Sequence, residues 1–463
     1  MGLIDFINKI DGVLGGILLV ILLLGCGLFF TFVLRGVQFR YFFRAFKLMF
    51  GGFTKKDGDD EGSLSSFQAL STAVAAQVGT GNVGGVATAI AAGGPGAIFW
   101  MWITAILGMP TIFAEAVLAQ KFRVRKDGNL VGGPAFYISE GVGKKNRGLG
   151  KFLAGFFAVA IILALGIAGN MVQANSISLA VNTSFGIPTW LIGVALAALA
   201  AAVFIGGVKR IGRFAEIVVP FMAVLYIIAS IVLLIKFRSH LGTAFGEIFR
   251  GAFTPAAAAG GFAGAVVRQA IRFGVQRGLF SNEAGMGSTP HAHAVASVNH
   301  PAEQGLIAFC GVFIDTVLVC SATALAILVT DAYKVPGKES VAITQEAFSI
   351  GFGNAGAGFL AICLTFFAFT TIIGWYYFGE SNVIYLFGQK GLTPYRIFVV
   401  LAVIFGSITK VEFVWALNAL LNNLMVYPNV IALFILTPIV ANIYKDYNKC
   451  LKAGKVHYDY EVK

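Results

Sequence analysis

From Gly62 to Ala114 the chain carries no charged residue, yet the middle of that run reads GTGNVGG, Gly79–Gly85. Within it, Ser65–Ile90 is apolar and long enough to cross a bilayer. Each glycine costs roughly 1 kcal/mol against alanine in a helix interior, and peptide groups freed at membrane depth cost more unless something polar meets them. The stretch therefore reads as a membrane helix broken near its centre, with positive amide ends beside unpaired carbonyls. Such a break suits a carboxylate and a monovalent cation lying side by side. Close packing through small residues is the competing account, but a packing seam leaves its helix intact.

With 57% hydrophobic and only 12% charged residues, and a mean hydropathy of +0.82, the 463 residues have too little polar surface to cover a soluble globule. The chain reads as an all-α polytopic membrane protein, one transmembrane domain over 1-463, with the lipid bilayer as its surroundings. Its net charge of +12 comes from basic loops between spans, so membrane orientation explains it better than nucleic acid. Placing the N-terminus outside puts most lysines and arginines in cytoplasmic segments; the C-terminal tail, 444-463, is then cytoplasmic. The first apolar run, Val13–Leu34, lacks a cleavage pattern and is kept as a helix. Cys26, Cys310, Cys320 and Cys363 fall in apolar runs and Cys450 in the tail, without CxxC spacing, so no disulfide is expected.

Eleven spans follow from the apolar runs. An extra helix at 13-35 comes first, then an aromatic and basic interfacial piece, RGVQFRYFFRAFKLMF, and the polar linker TKKDGDDEG. The seventh span, Pro255–Pro290, is the second broken one; it carries Arg268, Arg272, Arg277 and Glu283 among glycines. Five helices run from each break onward, and an odd repeat length inverts the second set. The layout is thus a 5+5 inverted repeat, 65-235 and 251-443, with the site where broken helices 2 and 7 meet.

Several polar residues stand out against this apolar background. In QVGTGN the amides of Gly79, Thr80 and Gly81 and the Thr80 hydroxyl are placed to meet a carboxylate. Thr370 and Thr371 sit in an otherwise apolar ninth span, where hydroxyls often bond back to their own helix. Asn170, with Gln173 one turn on, offers a polar wall or a bond between helices. Asp315 is a carboxylate deep in an apolar span and needs a partner. Arg268 or Arg272, a second sodium shared with Asn82, and a proton are the candidates, and Glu283 is expected to serve Arg277. His291, His293 and His300 with Glu283 lack the HExxH spacing of an intramembrane metalloenzyme. Two unlike breaks in one chain favour an occluded site over a channel.

The segment GGPGAIFWMWITAILG, Gly93–Gly108, closely resembles the signature of the alanine or glycine:cation symporter family, as do the GTGN core before it and SNEAGMGS after the second break. The resemblance covers essentially the whole chain. It implies a secondary active transporter, not an enzyme, in the cell membrane, with the fold of the bacterial leucine transporter preceded by one extra helix. It further implies sodium-coupled symport of alanine and glycine by a monomer, through alternating access in which spans 2, 3, 7 and 8 rock against the others. On this resemblance sodium, co-transported rather than a cofactor in the strict sense, is held by the hydroxyls of Thr370 and Thr371 and the carbonyls of Phe367, Ala75 and Val78. Five oxygens without a carboxylate suit a monovalent ion. The substrate is expected among Gln77, Gly79, Thr80, Gly81, Asn170, Thr371 and Trp375, capped by Phe273. Its amine would meet carbonyls at a break around Phe273, Gly274 and Gln276, with SNEAGMG as the other register. A proton-coupled transporter of the same fold, using Asp315, is the alternative.

Overall fold

The computed structural model describes residues 2–51, 64–126, 128–253 and 263–460. The polar linker at 54–62 and the first residues of the seventh span, from Pro255, fall outside them. The chain begins with α1 (Leu3–Leu14) and α2 (Ile17–Val33), divided at Gly15–Gly16. Glycine is required there: a Cβ on Gly16 would lie 2.6 Å from the Gly12 carbonyl oxygen. The first helical run therefore starts ten residues before Val13. Two amphipathic pieces follow, α3 (Val37–Arg40) and α4 (Phe42–Gly51), with Ala45 and Met49 buried and Phe43 and Phe50 exposed.

After a two-residue strand, β1 (Leu64–Ser65), the helix α5 (Ser66–Gln77) opens with a reciprocal cap between Ser65 and Gln68. Helical bonding stops at Gln77. Val78 turns to φ −82°, ψ 95°, and the chain resumes as a wide π turn, Gly81–Gly85, leading into α6 (Val86–Gly93). The long α7 (Ala97–Lys121) comes next. The basic loop beyond it folds as an antiparallel pair, β2 (Val124–Lys126) and β3 (Asn129–Val131), with short α8 (Pro134–Tyr137) and α9 (Gly143–Lys145). Then α10 (Arg147–Ile161) continues through the π segment Ile162–Gly169 into α11 (Asn170–Phe185), followed by α12 (Thr189–Phe204), α13 (Gly207–Lys236) and the surface helix α14 (Leu241–Phe253).

The second half opens on α15 (Ala263–Asn282), a left-handed turn, α16 (Pro290–Ala294) and β4 (Ala296–Ser297). Next, α17 (Pro301–Val312) passes through the π segment Phe313–Cys320 into α18 (Ser321–Val329). The remaining helices are α19 (Val341–Phe352), α20 (Asn354–Phe387), α21 (Leu392–Ile408) and α22 (Val411–Lys452). The sequence places one span over Gly351–Leu386, but Gly353, at φ +68°, divides α19 from α20. Likewise α22 continues nine residues past Ile443, into what the sequence assigns to the tail.

Helix α5 packs on α16 and α6 on α15, so the two interrupted segments run antiparallel with their interruptions opposite each other. The strand pair ties them at one end: β1 lies parallel to β4, with Leu64 opposite Ala296. Around this centre α7 packs on α15 and α17, α13 on α5, α11 on α20 and α21, and α22 on α1 and α10. By length and composition, seven helical runs among the described residues can cross a membrane. One of these, Asn354–Ile408, joins the ninth and tenth spans read from sequence; α5, α6 and α16 are short, and α15 carries three arginines.

Candidate functional site

The interruption at Val78 leaves carbonyls without helical partners, and α20 brings hydroxyls to them. The Thr371 Oγ1 lies 3.0 Å from the Ala75 carbonyl oxygen, 3.2 Å from that of Val78 and 3.0 Å from that of Phe367. The Thr370 hydroxyl donates to the Phe367 carbonyl at 2.9 Å and lies 3.6 Å from the Met222 sulfur. Thr370, Thr371, Val78 and Phe367 are fully buried. Two hydroxyl protons thus face three carbonyls, an excess of acceptors that a small cation would neutralise. The structure brings Thr371 together with the carbonyls of Ala75, Val78 and Phe367, while Thr370 joins them only through Phe367 and otherwise faces Met222.

Gly79 exists for this cluster: a Cβ there would stand 2.5 Å from the Thr371 Oγ1 and 3.1 Å from the Gln173 Oε1. We expect Gly79→Ala to leave the purified protein helical but to remove cation-dependent amino-acid binding by at least about tenfold, as a 1 Å misplacement of site groups does. Wild-type binding in the variant, measured by equilibrium dialysis, would show that this close approach is dispensable.

The amides assigned to a carboxylate are occupied in this state. The Gly79 amide donates to the Asn82 Oδ1 at 2.8 Å and the Thr80 amide to the Gln173 Oε1 at 3.2 Å. The side-chain amide of Gln173 thus holds the place that a carboxylate oxygen would take. The Thr80 hydroxyl is buried with no partner, and so are the Oδ1 of Asn170 and the Oε1 of Gln77. Asn170 donates only within its own helix, to the Gly166 carbonyl at 3.0 Å. Gln77 spans the two interruptions, donating to the Asn282 carbonyl at 2.7 Å.

The second interruption lies later than Phe273–Gln276. Helix α15 runs unbroken through those residues, so their carbonyls are spent on its own ladder and Phe273, Gly274 and Gln276 do not form a break. Gly274 and Gly278 serve packing instead: a Cβ on Gly274 would fall 2.3 Å from the Ala97 carbonyl oxygen. The turn sits in SNEAGMGS, where Glu283, Gly285 and Gly287 take φ of +58°, +86° and +80°. Three residues sequence reasoning left out make this turn. Glu115, on α7, accepts from the amides of Gly285 at 3.2 Å and Gly287 at 3.0 Å and from Asn429 Nδ2 at 2.6 Å. Asn429 in turn bonds Tyr137. Phe280, rather than Phe273, stands beside the first interruption: it lies 3.3 Å from where a Gly81 Cβ would stand, with its ring centroid 6.3 Å from that of Trp375.

The expected ion pairs are replaced by hydrogen bonds. Glu283 does not serve Arg277; its Oε1 accepts from Trp375 Nε1 at 2.6 Å and its Oε2 from the Ser288 hydroxyl at 2.5 Å. Asp315 does not meet Arg268 or Arg272, which are exposed. It accepts from Asn82 Nδ2 at 2.6 Å, Ser281 Oγ at 3.0 Å and Thr316 Oγ1 at 2.7 Å. Asn82, Asp315 and the residues before Asn170 all belong to π segments, wide turns that are frequent at functional sites.

The histidines do not converge. His291 faces Ser288 and Asn382, and His293 faces Gln304. Among the described residues His300, Asp446 and Cys450 could gather a metal. However, the His300 Nδ1 accepts from the Ala302 amide at 3.1 Å, which places the ring proton on Nε2, the atom facing Asp446 at 3.3 Å. The nitrogen that would have to bind a metal carries a hydrogen.

The solved structure of MhsT in complex with L-phenylalanine superposes with a TM-score of 0.57, covering 84% of this chain and 99% of that one at 15% identity. That likeness gives the class by fold, a mostly helical chain of the leucine-transporter fold. The sequence places it further: residues 2–461 match the sodium:alanine symporter family, and the chain belongs to it. It is 42% identical to the sodium/alanine symporter AgcS of Methanococcus maripaludis, over 98% of this chain and 99% of that protein. It is 43% identical to the probable sodium/glutamine symporter GlnT of Bacillus subtilis, over 95% and 89%. An uncharacterized transporter of Haemophilus influenzae is 42% identical over 98% of both chains.

Proposed function

We propose that the chain is a sodium-coupled symporter of small neutral amino acids, alanine and glycine foremost, working by alternating access as a 5+5 inverted repeat of eleven spans. The oxygen cluster around Thr371 carries this reading. It joins the interrupted first segment to α20, so an ion held there stiffens the break that receives the substrate, and by linkage the substrate tightens the ion equally. The amides of Gly79, Thr80 and Gly81 take the substrate carboxylate once Gln173 releases Thr80 and Asn82 releases Gly79, and Glu283 rather than the carbonyls of α15 takes its amine. Trp375 and Phe280, with ring centroids 6.3 Å apart, are the aromatic walls that would favour a small side chain over a large one. Electrostatics points the same way: Glu115, Glu283 and Asp315 are buried with hydrogen bonds and, among the described residues, no ion pair, and a sodium ion and an ammonium group would offset part of their charge.

Proton coupling at Asp315 is the second reading, favoured by its full burial with no basic partner among the described residues and by its position beside Asn82 at the first interruption. Equilibrium binding of radiolabelled alanine to the purified protein, with and without sodium at two pH values, decides between them. Sodium-dependent binding is expected. Binding that follows pH and ignores sodium transfers the coupling to Asp315, and no alanine binding overturns the substrate assignment.

A further inference from the structure

A groove opens where the end of α2 and the turn into α3 meet the last turns of α22, with about 910 Å³ of empty space. Arg35 and Arg40 line it from the first two elements, and Lys445, Lys449 and Lys452 from α22. Among the described residues none of the five pairs with a carboxylate; Asp446, the acidic residue in that stretch of α22, faces His300 instead. The three lysines recur at four and three residues, so they crowd one helix face, where like charges repel. The helix dipole accounts for Lys449 and Lys452 in the last turn, but not for Lys445 or for two arginines from other elements. Arg35 also bears backbone strain. Its φ is +52°, followed by Gly36 at +67°, so a guanidinium is held at the groove where glycine would be the easier residue.

Five cations call for an anion, and the foot of the groove says which kind. Val33 and Ala441 close it there, near the ends of two helical runs apolar enough to cross a membrane. Phe29 and Phe434, four and seven residues before them and so on the same helix faces, meet edge to face at 5.2 Å and are 37% and 38% exposed. The neighbouring α3 and α4 expose Phe39 and Phe43, as elements lying in a membrane surface do. The polar wall is already built: Tyr444 accepts from Arg40 at 3.4 Å, and Asn448 accepts from the Tyr41 hydroxyl. A cationic mouth above an apolar track matches a phospholipid with an anionic head. A free phosphate would fill the mouth and leave the track idle, and a choline head would bring a sixth cation into it.

We propose that this groove holds an anionic phospholipid, with its phosphate between the two arginines and the lysines of α22 and its acyl chains along Phe29 and Phe434. Native mass spectrometry of the full-length chain, with phosphatidylglycerol, phosphatidylcholine or inorganic phosphate titrated into a neutral detergent, reads the first binding step for each. Phosphatidylglycerol is expected to bind most tightly, and Lys445→Gln combined with Lys449→Gln to weaken it about 30-fold, at the usual contribution of basic residues facing an anionic head. Arg35→Gly is expected to weaken it about fivefold. Its lipid-free thermal melt should stay at or above that of the wild type, because glycine takes φ +52° without strain. The lysine variant alters only exposed side chains and so keeps the test decisive if Arg35→Gly does not fold. Equal binding of phosphatidylcholine, or wild-type binding of phosphatidylglycerol in either folded variant, overturns the site. So does inorganic phosphate that binds as tightly as the lipid and displaces it, which makes the mouth a site for a free anion.

Discussion

Thr371→Ala is expected to weaken sodium-dependent alanine binding by about 30-fold, some 2 kcal/mol, the loss of one hydrogen-bonding group to a charged partner. The reason is local. The Thr371 oxygen is the point where the carbonyls of Ala75, Val78 and Phe367 converge, all within 3.2 Å. Without it the three carbonyls lose the group that spaces them, and a cation loses one of five oxygens. Thr371→Ser keeps the hydroxyl and should bind nearly as the wild type does. A sodium titration of alanine binding separates the two variants. If Thr371→Ala has the wild-type sodium midpoint, the ion does not sit here.

Glu115→Gln should have the second large effect, a fall in alanine uptake of at least about 100-fold, or roughly 3 kcal/mol, the scale for breaking a buried charged network. Glu115 accepts from three donors at once, two of them amides of the left-handed turn at Gly285 and Gly287. A glutamine turns an NH2 group toward one of those donors, and the turn can no longer hold its shape. Glu283, which borders that turn at φ +58°, then loses its aim toward Trp375. Uptake into proteoliposomes, with a thermal melt of the same preparation, is the measurement. Wild-type uptake in Glu115→Gln would mean that the turn keeps its form without the carboxylate.

The first interruption was legible because apolar residues and glycines conflict so openly there: a run without charge cannot contain GTGNVGG and remain an ordinary helix. The Thr370–Thr371 pair showed itself in the same way, as two adjacent hydroxyls in the apolar run FFAFTTIIG. The second interruption had two registers open, around Phe273–Gln276 and in SNEAGMG, because its glycines carry two different messages. Gly274 and Gly278 let α7 approach α15 closely, whereas Gly285 and Gly287 allow positive φ. A clue lay in the spacing of Arg268 and Arg272, four apart as on one face of an intact helix, and in Pro290, which suits the first turn of the helix that follows. Exposure of that arginine face also explains why Asp315 has no arginine beside it. Glu115, Asn429 and Tyr137 come from three distant stretches, and no local pattern announces that they will meet.

The wide turns at Gly81–Gly85, Ile162–Gly169 and Phe313–Cys320 set a rule about what may vary in such a chain. An α-helix is phase-locked: a side chain at one end fixes the direction of every other, about 100° per residue. A π turn slips that phase. The stretch before Phe313 faces α5 and α7, and the stretch after Cys320 faces α13 and α19, each with its own bearing. A residue can therefore be exchanged or re-aimed at the middle of the bundle without turning the two ends out of their grooves, and cargo preference can drift while the frame stays fixed.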